Sequence, residues 1–135
     1  MLGDLIGEEQ GQITVQRVLP SEHGLPPAVE STFQASGTLL GVTISDMGTY
    51  TGQLRPDGTL LGHGQGILMS PDGASAAWEG LGVGHFTAEG SIAWRGSIVY
   101  QTDSPAFAEL RGVAGAFEWE TDQSGKAGGK LWAWR

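Results

Sequence analysis

Cysteine and asparagine are both missing from this chain of 135 residues. Without cysteine there is no disulfide and no thiolate metal site; without asparagine there is no N-glycosylation sequon. Positive charge is scarce, with 7 Lys and Arg against 15 Asp and Glu and a formal net charge of -8. Phosphate backbones and anionic membrane surfaces are bound through Lys and Arg, so neither nucleic acid nor a membrane is an expected partner. No apolar run approaches the ~20 residues that cross a bilayer as a helix. The first residues carry neither the basic nor the apolar region of a secretory signal, and a cytoplasmic location is expected. No segment of useful length has the periodicity of an amphipathic helix. The length suits a single domain, residues 1–135, with residues 1–10 as an N-terminal arm.

What the chain does have is alternation and glycine. Apolar and polar residues alternate over 11–19, 29–40, 42–54 and 113–120, and a closing strand is expected over 130–135. The prolines of 20–27 make a loop, where His23 is solvated, and Gly41 marks a bend. Arg55-Pro56-Asp57-Gly58-Thr59 and Ser70-Pro71-Asp72-Gly73-Ala74 carry one turn chemistry: Pro presets φ, Asp bonds its own backbone, and Gly accepts a positive φ. Thr87 to Ser91 is a turn of the same length. Residues 103–112 interrupt the strands, with one helical turn over 106–110 that Ser104 could cap, and 121–128 form the last turn. The whole reads as all-β, a meander of long antiparallel strands.

Pairing the ends of the three central turns sets the register. Gly62 then opposes Gly82, Gly64 opposes Gly80, Gly66 opposes Trp78, and Gly52 opposes Gly62. Even-numbered residues share one face across four strands. That face holds Gly48, Gly52, Gly62, Gly64, Gly66, Gly80, Gly82, Gly84 and Gly96, together with Tyr50, Trp78, Phe86, Trp94 and Tyr100. Each strand glycine costs roughly 0.5–1 kcal/mol against alanine. A closed barrel offsets that cost, because its crowded inner side needs bends and lets large aromatics lie across glycines. The even face is therefore placed inside, joined by Phe117 and Trp119, and is expected to be dry, aromatic and nearly free of charge. The rival arrangement buries the odd face, with His63, Gln65 and Glu79 as interior polar groups, and strands the aromatics outside.

Gly48-Thr49-Tyr50-Thr51-Gly52, the turn at Arg55 to Gly58, the run Gly62 to Gly66, and Leu110-Arg111-Gly112-Val113-Ala114-Gly115-Ala116-Phe117 resemble segments of the allene oxide cyclase-like, calycin-type β-barrels, above all of short bacterial members. The resemblance spans residues 29–134 and implies an antiparallel barrel of about eight strands with an apolar interior, often oligomeric. Members range from cyclases to proteins of no known activity, so fold analogy alone does not assign a reaction. No cyclase catalytic set is present to carry over.

Other chemistry has little to stand on. The glycine triplets lack the spacing of phosphate loops, and no helix follows them. His63 and Glu79 lie diagonally on the odd face, but His85 falls roughly 13 Å farther along, too far for a zinc site at about 2 Å bonds. There is no nucleophile beside a base. Glu118 and Glu120 read as a solvated face, and Glu109 and Arg111 as a surface pair. No cofactor or metal is expected. The leading expectation is a barrel whose interior residues Tyr50, Trp78, Phe86, Trp94, Tyr100, Phe117 and Trp119 enclose an apolar or aromatic small molecule. The alternatives are a cyclase- or isomerase-type enzyme using Tyr50 and Tyr100, and a homo-oligomeric module packed through Leu61, Ile67, Leu81 and Val83.

Overall fold

Arg55 N–H donates to Thr59 O at 2.8 Å and Gly58 N–H to Arg55 O at 3.0 Å in the computed structural model, which describes residues 3–134. Gly58 takes φ 85° to allow it. The same hydrogen-bond pair closes the turns at Ser70 and Ala74, at Thr87 and Ser91, and at Asp122 and Lys126. Gly73, Gly90 and Gly125 supply the positive φ in each. The Asp57 carboxylate accepts from the Thr59 hydroxyl at 2.6 Å and from Thr59 N–H at 3.0 Å, and Asp122 from the Ser124 hydroxyl at 2.6 Å and from Ser124 N–H at 2.9 Å. These contacts hold both carboxyls below the usual range. The last turn is shorter than the expected 121–128: Thr121 ends one strand, and Lys126 to Gly128 lie in the next.

The strands are β1 (Leu5–Val18), β2 (Val29–Leu39), β3 (Val42–Leu54), β4 (Leu60–Met69), β5 (Ser75–Phe86), β6 (Ile92–Gln101), β7 (Ala114–Thr121) and β8 (Lys126–Trp134). Each pairs antiparallel with its neighbours in chain order, and β8 returns to β1 to close the barrel. Every central pairing expected from the turns is present, including Gly62 with Gly82, Gly66 with Trp78, Gly52 with Gly62, and Trp94 with Gly84.

Parity sorts the side chains as well. Leu60, Leu68, Ala76 and Trp94 are buried, whereas His63, Gln65, Glu79, His85 and Arg95 are exposed. The even face is inside over the central strands, and the rival arrangement is overturned. The outer face mixes these polar groups with exposed Met47, Ile67, Leu81 and Val99. No helix among the described residues is long and apolar enough to cross a membrane.

The inner glycines make room for rings. A Cβ on Gly66 would meet the Trp78 indole at 2.5 Å, and one on Gly48 would also strike Trp78. Trp94 lies against Gly62 and Gly84 in the same way, and Phe117 against Gly82 and Gly96.

Three local expectations change. Residues 5–10, expected in an arm, form the first part of β1 and are hydrogen-bonded on both sides, to β2 and β8. Their alternation is hidden because Glu9 stands at an inward position between Gly7 and Gly11. The register shifts between Ile13 and Val15, a bulge that leaves Val15 exposed instead of sharing the side of Ile13. Ser104 precedes a short 3-10 helix, Pro105–Leu110, but its side chain does not cap it; its Oγ accepts from Ser75 N–H at 3.0 Å. Met1, Leu2 and Arg135, the outer ends of the expected arm and last strand, lie outside the described residues.

That 3-10 helix is the plug of one barrel end. Phe107 and Leu110 are fully buried against Leu39, Ile44, Leu68, Ala76 and Leu131. Phe107→Ala is expected to cost about 3–5 kcal/mol, the range for deleting a buried phenylalanine ring, read as a lower urea midpoint with unchanged slope. A loss under about 1 kcal/mol would show that the plug is not part of the core.

Candidate functional site

Behind the plug the interior turns polar. On β3, Ile44 belongs to the plugged layer; the next inward residue is Asp46, which is 6% exposed. The Trp78 indole, held over Gly48 and Gly66, donates from Nε1 to Asp46 Oδ1 at 2.8 Å. Glu9 comes from β1, which pairs with β2 as β2 pairs with β3, so that Glu9 lies one strand across from Asp46. Its Oε1 is buried without a hydrogen-bond partner.

The two carboxyls interact directly. Burial, then the charge of Asp46 and a hydrogen bond to it, push the Glu9 pKa up to about 9. Burial also raises Asp46, opposed by its bonds to Glu9, Trp78 and the Met47 backbone. At neutral pH the pair therefore holds a proton, favoured on Glu9, as expected of two acids sharing a low-dielectric site. The Tyr100 phenol completes this pole: burial, then the Glu9 and Asp46 charges, hold it well above its ordinary value.

Toward the other end lie the aromatic walls. Phe33 sits 4.8 Å from Trp119 and 6.1 Å from Trp78, ring centre to ring centre, and Tyr50 meets Trp94 edge-on at 5.8 Å. Burial raises the Tyr50 phenol, an effect reduced by Trp119, Ser31 and Thr121 around it. Ser31 and Thr121 are themselves buried. The indole Nε1 atoms of Trp94 and Trp119 are buried and make no well-formed hydrogen bond.

The acid pair and the rings line a cavity of about 110 Å³. Tyr50, Trp78, Trp94 and Tyr100 line it, as the parity of the central strands indicated, and Phe117 and Trp119 line it beside them. Phe86 does not. It ends β5 at the rim opposite the plug and is 58% exposed, because the strand runs out before its side chain can be covered. The expectation of an interior nearly free of charge is also overturned. Asp46 occupies an even position of β3, so parity alone pointed to it; Glu9 had no such signal. Among the described residues no group of three or more His, Asp or Glu is placed to hold a metal ion. Glu118 faces outward and pairs with Arg95 at 3.3 Å, and Arg111 donates to the Thr102 carbonyl at 3.0 Å.

No protein-family model and no curated protein matches the sequence. Solved structures do. A protein of unknown function from Clostridium acetobutylicum superposes with a TM-score of 0.82 at 11% identity, covering 96% of each chain. A conserved protein of unknown function from Rhodopseudomonas palustris gives 0.81 at 12% identity, covering 98% of this chain and 97% of its own. A beta-barrel like protein from Acinetobacter baumannii gives 0.83 at 10% identity, with 100% and 96% covered. At such identities the likeness is one of fold: this chain is built like these barrels over its whole length.

Proposed function

We propose that the protein binds a small apolar or aromatic molecule inside the barrel. The observation that carries this reading is the cavity of about 110 Å³ with rings on most sides. Cavities near 150 Å³ with apolar linings accept benzene, so the occupant is of about that size or slightly smaller. Specificity comes from the few polar groups among the rings, as in small-molecule sites generally. The resemblance to allene oxide cyclase-like barrels agrees with an interior site.

Titrating the protein with benzene-sized hydrocarbons and heteroaromatics, read by tryptophan fluorescence, tests this. Trp78, Trp94 and Trp119 line the space, so saturable quenching or enhancement is expected. Gly80→Ala narrows the cavity without a clash, since its Cβ would have no neighbour nearer than 3.5 Å. Affinity is expected to fall about tenfold in that variant, equivalent to about 1.4 kcal/mol. No saturable change with any compound would remove the proposal.

An enzymatic reading has one specific support, the protonated Glu9 beside Tyr100, a proton donor facing an apolar space. It is a cyclase- or isomerase-type activity. Turnover unaffected by Tyr100→Phe and by Glu9→Gln would dismiss it.

A further inference from the structure

The interior acids have no internal counter-charge. Arg17 pairs with Glu30 and Arg95 with Glu118, and Lys130 lies 4.0 Å from Glu8, each cation being exposed on the outer face. His23, His63 and His85 are exposed as well. No Lys, Arg or His among the described residues reaches Glu9 or Asp46, so the space beside these carboxyls is complementary to a cation that comes from outside. The walls suit such a cation. The faces of Trp78, Phe33, Phe117 and Trp119 carry the negative side of their quadrupoles, and a desolvated cation over such faces is favoured.

We propose that the occupant of the barrel is a small organic ammonium, a primary amine on a compact apolar body, with its nitrogen between Glu9 and Asp46. This deepens the interior-binding reading above and rests on it. The carboxyl pair takes the –NH₃⁺ donors, and the aromatic walls take the body. Trp94, 4% exposed, lines the cavity and keeps its indole N–H without an acceptor. It marks a second polar contact, to an acceptor atom on the far side of the ligand.

The protons balance in one way. In the free barrel the Glu9 proton does the work of the cation, satisfying Asp46. When R–NH₃⁺ enters, that proton leaves to solvent, and the site changes from one carboxylic acid and one carboxylate to two carboxylates around one ammonium. Binding therefore releases one proton per ligand. The groups facing Glu9 that could alter this are Asp46 from β3 and Tyr100 from β6. At the Glu9 level the flanking strands present only Gly37 from β2 and Gly129 from β8. Below the Glu9 pKa of about 9, affinity for the amine should rise with pH, approaching about tenfold per unit. The rise stops near that pKa, before the amine itself deprotonates at roughly 10.4.

Isothermal titration of isobutylamine and cyclopentylamine, each beside the alcohol and the carboxylic acid of the same skeleton, tests the proposal. Two buffers of different ionisation enthalpy give the proton count. The expected result is at least about tenfold preference for the amine over the alcohol, with one proton released. Glu9→Gln should lose the pH dependence and most of the amine preference while still binding the alcohol. Should that variant fold poorly, the pH dependence of the unmodified protein reads the same linkage. If the alcohols bind as well as the amines and no proton is released, the ammonium assignment falls and the apolar cavity stands. If no member of the series binds and the hydrocarbons of the preceding section also fail, both fall together.

Discussion

Raising the pH from about 5 to about 9 should destabilise this protein steadily, by up to about 1.4 kcal/mol per pH unit, and Glu9→Gln should remove most of that slope. The sign follows from where the proton sits. In the unfolded chain Glu9 titrates near its ordinary value of 4.5; in the barrel it is pushed up to about 9. Between these values the folded protein holds one proton more than the unfolded chain. Stability is then fullest below the unfolded pKa and is lost as pH rises toward the folded one. Asp46, also raised, acts in the same direction just above its own ordinary value of 3.8. Asp57 and Asp122 are held low by their turns, so their contribution is lost only as pH falls below the usual carboxylate range. They do not disturb the window.

Glutamine at position 9 keeps the shape of the protonated acid and can donate its amide hydrogens to Asp46. At pH near 8 the variant is expected to be more stable than the unmodified protein by a few kcal/mol, roughly the accumulated slope. Urea unfolding at a series of pH values measures both curves. A flat profile for the unmodified protein between about 5 and 8, or an undiminished slope in the variant, would show that Glu9 is not the linked group.

Two alanine substitutions on one inner face should move stability in opposite directions. A Cβ on Gly62 would strike the Trp94 ring, two further ring atoms lying at 3.0 Å. Trp94 is 4% exposed and also rests against Gly84, so the ring must leave both glycines and shift into the cavity it lines. Overpacking of this kind costs typically about 1–3 kcal/mol, and Gly62→Ala is expected at the upper end of that range. Gly80 lies on the neighbouring strand, diagonal to Gly62. Its added Cβ would meet Ser97 O at 3.5 Å and Phe117 at 3.7 Å, which is ordinary contact. Gly80→Ala is expected to stabilise by about 0.5–1 kcal/mol, because alanine loses less backbone entropy in a strand. Thermal or urea denaturation of the pair decides it. Equal losses in both variants would mean that backbone flexibility, rather than space for the indole, is what these glycines supply.

The hairpins and the inner face of the central strands were legible in the residues themselves. Pro-Asp-Gly turns define who pairs with whom over a few residues, and the two-residue period of a strand carries that register outward without loss. Hence Tyr50, Trp78, Trp94 and Tyr100 could be assigned inward from sequence, with Phe117 and Trp119 beside them. Phe86 failed because parity says which way a side chain points and not whether anything covers it at a strand end. Glu9 could not be found that way at all. Its segment pairs with β2, Glu9 with Gly37, and β2 pairs with β3, Ala35 with Asp46; the β1–β2 register is set across the proline loop 20–27 and a bulge rather than by a tight turn, so no local pattern placed Glu9 beside Asp46. The proton it holds there depends on the dielectric of a closed interior, which no local pattern encodes. Turns and alternation are short-range physics and so belong to the sequence by itself; the acid pair is a product of enclosure, and only the tertiary structure could decide it.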